Sequence, residues 1–413
     1  MRIATAFASV LLAAVVAGCG GGPILANPPI DYPTQPPSSP DPSRAADPIP
    51  VELPRDDGPH DRLTEWWYYT GHLRAADGRR FGFEAVVFRA ERGSVPAAWA
   101  SHLALTDEGI RGRPGGFGGP GDQFHYAQRS EIGPQVDRSP RAADGAPTGF
   151  DLQVSGLSPA LIAAGAPPLA PAPWRLAGSA GTDRIEATLT ADEAAEAGAA
   201  FGLELDLRPT KPAALHDGDG FVDFGPAGSS YYYSRTRLAA EGEVTLDGET
   251  FEVEGIAWFD HQWGDFISVG GGWDWFAINL DDGTDITISL VYGPEGESFS
   301  YGTVVEDDGG VRHLTSEEFR LGAAGVWGSE ATGRRYPTPW HLTIADLRPG
   351  VGLTVDLQPT VADQELDTRA TTGVVYWEGS QVVSASYLIR TATSFETLDV
   401  GGEAYIEMTR YTD

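Results

Sequence analysis

Three carboxylate side chains each follow an aromatic residue by two positions. The pairs are Trp258 with Asp260, Tyr376 with Glu378, and Tyr405 with Glu407. Because side chains two apart lie on the same face of a β-strand, each acid shares a face with an aromatic ring. Removal from water raises the pKa of a carboxyl group, so such an acid can keep its proton near neutral pH. The pattern therefore predicts a large apolar binding site that contains a few carboxyl groups.

Asp260 is the candidate proton donor of this site. Transfer of its proton to an isolated C=C bond leaves a carbocation, which the faces of aromatic rings stabilise by about 2 kcal/mol or more when desolvated. Water must then be oriented for attack, and His261 and Glu65 are the candidates for this role. Aromatic residues at strand spacing are also typical of a filled barrel interior, and a single buried His is typical of a hydrogen-bonded core. A purely structural role therefore stays open.

Other kinds of site find little support. No Gly-x-Ser-x-Gly motif marks a serine hydrolase, and the Gly-rich stretch 114–121 lacks the Lys-Ser/Thr ending of a phosphate-binding loop. The chain has one cysteine, Cys19, which excludes an intrachain disulfide and a Cys-rich zinc site. Asp260, His261 and Asp265 are residue types that can bind a metal, but no further histidine stands at metal-ligand spacing from them. We therefore predict neither a metal nor a cofactor. The net charge of −31 excludes the basic surface that nucleic-acid binding needs.

The segments that must position these side chains have the composition of β-strands. From about residue 60 onward, short runs rich in Val, Ile, Phe, Tyr, Trp and Thr alternate with Gly, Asp and Pro. Asp-Gly pairs typical of hairpin turns stand at 77–78, 247–248, 282–283 and 308–309. The helical candidates, Ser158–Ala164 and Ala191–Ala200, are short. We predict an all-β chain with two consecutive antiparallel barrel domains, 51–237 and 238–413.

Residues 1–18 are similar to a bacterial lipoprotein signal peptide. An apolar stretch too short to span a bilayer ends in the sequence Val-Ala-Gly-Cys, which resembles a lipobox whose Cys19 carries the lipid. An ordinary secretory signal is the alternative. Residues 19–50 are dense in Pro and Gly and predict an extended linker after the lipidated cysteine. Because Gly20 follows Cys19, the resemblance implies sorting to the outer membrane.

Five segments in order resemble the carotenoid 1,2-hydratase family, also called hydroxyneurosporene synthase, and its AttH-type exported relatives. They are Glu65–Leu73, Tyr231–Arg235, Gly255–Gly264, Tyr376–Gly379 and Gly402–Thr409. The resemblance implies two consecutive lipocalin-like barrels. It also implies that the aromatic-x-Asp pattern at Trp258 and Asp260 corresponds to that of the hydratases, in which the Asp is the proton donor.

The candidate catalytic residues are accordingly Asp260, His261 and Glu65. The candidate ligand-binding residues are aromatic and acidic side chains on the same segments and on neighbouring strands. They are Trp66, Trp67, Tyr232, Trp258, Trp263, Trp275, Tyr376, Trp377, Glu378 and Glu407.

We therefore predict an exported protein that binds a hydrophobic isoprenoid or lipid and hydrates or isomerises a C=C bond. A non-catalytic carrier that works with an ABC-type export permease is the main alternative, and an envelope protein with filled barrels is a third. The resemblance implies a place in the cell envelope, with the lipid on Cys19 holding the protein at the outer membrane on its periplasmic side.

Overall fold

The computed structural model describes residues 47–92, 95–110, 121–130, 136–154, 174–224, 228–265, 272–293, 298–369, 371–391 and 393–411. The predicted signal peptide, Cys19, most of the predicted linker and the helical candidate Ser158–Ala164 lie outside these residues.

Alternating apolar and polar residues form long antiparallel strands in the first barrel. Its strands are β1 (Thr64–Ala75), β2 (Arg79–Arg92), β3 (Val95–Ile110), β4 (Asp122–Ser130), β5 (Phe150–Val154), β6 (Trp174–Ser179), β7 (Thr182–Thr188), β8 (Phe201–Pro209), β9 (Ala214–Leu215), β10 (Phe221–Asp223), β11 (Ser229–Leu246) and β12 (Glu249–Gly264). They pair in the order β4-β3-β2-β1-β12-β11-β8-β7-β6-β5, and β9 and β10 pair with β11. The nearly closed sheet buries one face of each strand.

The second barrel repeats this arrangement. Its strands are β13 (Gly272–Leu280), β14 (Asp285–Tyr292), β15 (Ser298–Val305), β16 (Val311–Thr315), β17 (Phe319–Ala323), β20 (Trp340–Arg348), β21 (Val351–Pro359), β22 (Glu365–Asp367), β23 (Val375–Arg390) and β24 (Phe395–Met408). Their order is β16-β15-β14-β13-β24-β23-β21-β20-β17, with β22 on β23. The short strands β18 (Val326–Gly328) and β19 (Arg335–Pro337) form a separate pair.

All four predicted Asp-Gly turns join paired strands of a hairpin. The turn between β11 and β12 shows the physical reason, because Asp247 has φ 50° and Gly248 has φ 86°. Positive φ at both central residues matches the twist of the flanking strands, and Asp-Gly tolerates it at low cost. The all-β prediction with two barrels is confirmed.

The change from one sheet to the other falls between Gly264 and Gly272. The predicted boundary between residues 237 and 238 instead lies inside β11, which pairs with β8 and β12 of the first barrel. The sequence contains a turn signal at 247–248, but this turn closes a hairpin within the first sheet and does not end the domain.

One α-helix is present among the described residues, α1 (Ala191–Ala197). Thr190 and Glu193 form a capping box at its start, and Gly198 ends it with φ 83°. This confirms the helical candidate at 191–200, three residues shorter than predicted. No helix in the described part of the chain is long and apolar enough to cross a membrane.

Three apolar clusters place the candidate site. One fills the first barrel and a second fills the second barrel. A third lies between the barrels, where Tyr68 and Trp258 of the first barrel join Trp275 and Tyr376 of the second. These four side chains lie on the outer faces of their strands, so the faces that a single barrel would expose to water are buried here.

Candidate active site between the two barrels

Four carboxyl groups lie among the aromatic residues between the barrels. They are Glu84 on β2, Asp260 on β12, Glu378 on β23 and Glu407 on β24, and we refer to them as the interface cluster. Strand pairing brings them together, since Glu378 lies opposite Glu407 and Asp260 lies opposite Tyr68. Ion pairs with Arg or Lys are absent for these four groups within the described residues.

Asp260 is held by three hydrogen-bond donors. Ser234 Oγ donates to Oδ1 at 2.5 Å, Trp258 Nε1 donates to Oδ1 at 2.7 Å, and Tyr232 OH donates to Oδ2 at 2.5 Å. Burial raises the pKa of Asp260 to about 6, while these donors act to lower it. Trp275 also acts to lower this pKa, and its Nε1 donates to Tyr232 OH at 3.1 Å, so the environment of Asp260 favours its carboxylate form.

Glu378 has far fewer partners. Tyr68 OH donates to its Oε1 at 2.6 Å, while Oε2 is fully buried and has no hydrogen-bond partner. Burial, and then the charges of Glu407 and Glu84, raise the pKa of Glu378 well above its ordinary value. Burial therefore favours the neutral form of Glu378, and its Oε2 is left without a hydrogen-bond partner among the described residues.

Glu84 has a similar environment. Tyr376 OH donates to Glu84 Oε1 at 3.1 Å, and His102 Nδ1 lies 2.5 Å from the same hydroxyl. Glu84 Oε2 and His102 Nε2 are buried without partners. Burial, and then Glu407, raise the pKa of Glu84 to about 8. Burial lowers the pKa of His102 to about 3, so its ring is neutral.

Glu407 receives a hydrogen bond of 2.7 Å from Trp273 Nε1 at its Oε2. Burial raises its pKa to about 8, which the Trp273 hydrogen bond opposes and the charges of Asp260 and Asp274 reinforce. The interface cluster thus contains Asp260, with a pKa of about 6, Glu84 and Glu407, each with a pKa of about 8, and Glu378, whose pKa lies well above its ordinary value.

A chain of hydrogen bonds leads away from Asp260 on the side of Ser234. His216 Nε2 lies 2.7 Å from Ser234 Oγ, and His216 Nδ1 lies 2.9 Å from Thr303 Oγ1. His313 Nδ1 lies 3.4 Å from Thr303 Oγ1, and His313 is half-buried. These groups, which we call the proton chain, connect the buried Asp260 with the protein surface.

Glu65 and His261 lie on the opposite side of the same two strands. Both side chains point into the first barrel, where Glu65 Oε1 lies 3.0 Å from His261 Nε2 and 2.7 Å from His60 Nδ1. Burial acts to raise the pKa of Glu65, but the nearby His60 and His261 lower it to about 2. We refer to His60, Glu65 and His261 as the inner triad. Asp260 and His261 are neighbours in sequence, so they face opposite sides of β12.

Comparisons with known proteins agree with this architecture. A profile described as AttH-like matches residues 44–113 and 154–411. The chain belongs to the AttH-like family. A search of curated protein sequences finds no significant match.

Two solved structures share the fold of this AttH-like protein. An AttH protein of Nitrosomonas europaea is 24% identical with a TM-score of 0.65, covering 89% of this chain and 99% of the other. Kievitone hydratase of Nectria haematococca is 14% identical with a TM-score of 0.59, covering 87% of this chain and 93% of the other. Both likenesses extend over the two barrels of the AttH-like chain.

The structure divides the predicted site residues of this AttH-like protein into three groups. Those that belong to the interface cluster or contact it are Asp260, Trp66, Tyr232, Trp258, Trp275, Tyr376, Glu378 and Glu407. Those inside the first barrel are Glu65, His261, Trp67 and Trp263, and the one inside the second barrel is Trp377. Asp260 is therefore separated from both groups expected to orient water beside it.

Sequence reasoning missed Glu84, Tyr68, His102 and the proton chain. A sequence pattern could have identified Glu84. It shares a strand face with Gly82, Val86 and Phe88, and from Gly82 to Phe88 it is the one charged residue on that face of β2. His216 lies in a short 3₁₀ turn after β9, where no local pattern marks it.

Proposed function

We propose that the AttH-like chain hydrates a C=C bond of an apolar ligand bound at the interface cluster. The observation that carries this proposal is Glu378, a buried carboxyl group among aromatic rings whose Oε2 has no hydrogen-bond partner and whose pKa is raised well above its ordinary value. The fold shared with kievitone hydratase, whose name states a hydration, supports the same reaction type.

Glu378 is the proton donor in this mechanism, and this revises the role that the sequence gave to Asp260. Acid catalysis of an alkene needs a carboxyl group that is still protonated at the working pH. The three donors around Asp260 stabilise its carboxylate form, and its pKa of about 6 lies below neutrality. Pairs of acids whose surroundings push their pKa values apart commonly divide the roles of acid and base.

The reaction balances with these two groups. Glu378 transfers its proton to one carbon of the double bond and forms a C–H bond, which leaves a cation on the other carbon. Water adds to that carbon, forms the C–O bond and gives its surplus proton to Asp260 Oδ2. The edge-to-face pairs of Trp275 with Tyr68 and with Trp258 set rings beside this place, where a ring face stabilises the positive charge.

The proton chain completes the cycle on the side of Asp260. After turnover, Asp260 holds a proton that it must lose, and Glu378 must regain from solvent the proton that it gave to the alkene, before the next cycle can begin. Ser234, His216 and Thr303 connect it to the half-buried His313, so the proton can pass to solvent without water entering the interface. Because burial lowers the pKa of His216 to about 3, that ring is neutral and can accept a proton at one nitrogen while it donates from the other.

The surroundings of the cluster indicate an apolar, unsaturated ligand with few charges. Protonated acids and aromatic rings offer hydrogen bonds and apolar contact, and an anionic ligand would find no counter-ion among the described contacts of the four carboxyl groups. An isoprenoid or a related polyene fits this chemistry.

The test is product analysis by mass spectrometry after incubation with detergent-dispersed acyclic carotenoids and isoprenoid alcohols. We expect a product heavier by one water, and a loss of turnover by about 10²–10⁴-fold in Glu378→Gln. Glu396→Gln is the matched control, because Glu396 is exposed on β24 and should leave turnover unchanged.

Two results would contradict the hydration proposal. One is unchanged turnover in Glu378→Gln, which would remove Glu378 as the acid. The other is a bound ligand that stays unchanged in the wild type and in Glu378→Gln alike, which would make the protein a carrier and direct attention to an export permease as its partner.

We also propose that the protein works in the cell envelope with a lipid on Cys19. The motif before Cys19 and the Pro-rich stretch after it support this. Metabolic labelling with a radioactive fatty acid should mark the wild type and not Cys19→Ser. Equal labelling of both would contradict the proposal.

A further inference from the structure

The inner triad has the composition and the convergence of a metal site. His60 precedes β1 and Glu65 lies on β1 five residues later, whereas His261 on β12 is 196 residues from Glu65, so the triad joins two regions that are distant in sequence. One ligand atom from each side chain lies within 4.8 Å of the other two. Two histidines and one glutamate form a ligand set of catalytic zinc sites and of mononuclear iron sites.

We propose that the inner triad binds one divalent transition-metal ion of the zinc type inside the first barrel. The donor atoms are His60 Nδ1, His261 Nε2 and Glu65 Oε1. Their separations of 2.7 and 3.0 Å from the Glu65 oxygen are slightly shorter than the ~3.3 Å expected between ligands of a tetrahedral zinc ion with bonds of about 2.0–2.1 Å. A small outward movement of the His60 ring therefore makes room for the ion.

The groups around the triad orient its ligands in the way that metal sites require. The second nitrogen of His60 lies 3.5 Å from Asp56 Oδ1, and the second nitrogen of His261 lies 3.4 Å from Tyr233 OH. Partners at the outer nitrogen fix the ring orientation of metal-binding histidines. The backbone N–H of His60 donates to both oxygens of Glu65, at 2.9 Å to Oε2 and 3.2 Å to Oε1, and Oε1 is the oxygen that lies next to both rings.

The site is enclosed and still accessible. His60 stacks on Trp263 with ring centroids 4.0 Å apart, and Trp67 stacks on His261 at 4.7 Å. The Glu65 and His261 side chains are fully buried, whereas the His60 side chain is 19% exposed. An ion can therefore approach from the side of His60 and bind in apolar surroundings, where water competes poorly for it.

The ion would fasten the segment before β1 to the barrel wall. In the metal-free protein, hydrogen bonds of the His60 ring and of its backbone N–H to Glu65 contribute to this connection, beside those that Tyr233 and Arg235 donate to Asp57. A metal ion that binds only the folded chain raises its stability. This inference does not depend on the proposed hydration, because the triad and the interface cluster lie on opposite faces of β1 and β12.

The experiment uses the full chain with the Cys19→Ser substitution, so that its one thiol cannot bind the ion. After treatment with a chelator, the protein is titrated with Zn²⁺ by calorimetry and with Co²⁺ by visible absorption. We expect one ion per chain, a higher melting temperature with Zn²⁺, and a d–d absorption spectrum of four- or five-coordinate Co²⁺.

His60→Gln is the decisive variant, because His60 lies outside the strands and its loss should leave the barrel folded. We expect it to weaken Zn²⁺ binding at least tenfold and to abolish the thermal shift. His341→Gln is the matched control, since His341 is an exposed histidine paired with Asp356 in the second barrel. No bound ion in the wild type, or equal affinity in wild type and His60→Gln, would overturn the proposal.

Discussion

The two barrels present corresponding strands to the interface but carry different groups on them. In the first barrel, Asp260 on the last strand lies between Tyr68 on the first strand and Ser234 on the strand before the last. In the second barrel, Glu407 holds the place of Asp260, with Trp275 and Glu378 at its sides. The first barrel thus places a carboxyl group opposite Ser234, which donates a hydrogen bond to it, whereas the second barrel places two carboxyl groups opposite each other.

This difference sets the protonation state of the acids. Hydroxyl and indole donors stabilise a carboxylate, so burial raises the pKa of Asp260 only to about 6. Burial, reinforced by the charges of Asp260 and Asp274, raises the pKa of Glu407 to about 8. Burial and the charges of Glu407 and Glu84 raise the pKa of Glu378 well above its ordinary value. Ser234 opposite Asp260 and Glu378 opposite Glu407 hold corresponding places, so a hydroxyl donor in the first barrel is replaced by a second carboxyl group in the second.

The largest expected effect is on folding stability in Asp260→Ala. This change leaves three buried donors, on Ser234, Tyr232 and Trp258, without their acceptor. The free energy of unfolding should fall by roughly 3 kcal/mol or more, as measured by urea denaturation. Glu407→Ala removes the acceptor of a single described donor and should cost clearly less. Equal losses in the two variants would show that the barrels do not differ in this way.

Asp260 and Glu407 should change the free energy of unfolding over different ranges of pH. Both carboxyl groups have raised pKa values in the folded state, so each favours folding at low pH and loses this advantage as pH rises through its folded pKa. For Asp260 the window runs from about pH 4 to 6, and for Glu407 from about pH 4.5 to 8. Within its window, each full proton of difference changes the free energy of unfolding by about 1.4 kcal/mol per pH unit.

Asp260→Asn and Glu407→Gln test this by comparison with the wild type. The stability of Glu407→Gln relative to the wild type should rise up to about pH 8, whereas that of Asp260→Asn should level off near pH 6. Urea titrations at half-unit steps of pH measure both curves. Two curves that level off at the same pH would argue that the acids share one environment.

Much of this comparison follows from sequence patterns, and part of it does not. Alternation along β12 already puts Trp258 and Asp260 on one face and His261 on the other, so the separation of Asp260 from His261 was open to sequence reasoning. What alternation cannot tell is which face is buried against a second barrel. The outer face of a barrel strand usually contacts water. From sequence alone, a Glu on this face, such as Glu84, is therefore predicted to be exposed, and only the packing of the second barrel shows that it is buried.

Contacts between segments distant in sequence could not be predicted from the sequence either. His60 follows a proline in an irregular segment, and its ligand-like position depends on the pairing of β1 with β12, almost two hundred residues later. His216 reaches Asp260 only because β9 pairs with β11. Neither residue belongs to a local motif, so their roles become visible only in the folded chain.

A smaller effect is expected when the proton chain is broken. Thr303→Val keeps the volume and removes the hydroxyl between His216 and His313, so kcat should fall about tenfold with KM unchanged. Thr287→Val is the matched control, because Thr287 lies opposite Thr303 on β14 and its hydroxyl has no hydrogen-bond partner. Steady-state kinetics on the hydration product measures both, and an equal loss in the two variants would reject the chain as a proton route.

The smallest effect should come from the indole that binds Glu407. Trp273→Phe removes the hydrogen bond to Glu407 Oε2 and should cost about 1 kcal/mol of unfolding free energy at pH 6, where Glu407 is neutral. The cost should grow to about 2 kcal/mol at pH 9, because a hydrogen bond to an ionised acceptor is roughly twice as strong. Trp340→Phe loses a similar ring, whose Nε1 has no partner, and its cost should not change with pH. If the cost of Trp273→Phe is also constant from pH 6 to 9, then Glu407 does not change its charge in that range. Such a result would contradict the pKa of about 8 for Glu407 and with it the difference between the acids of the two barrels.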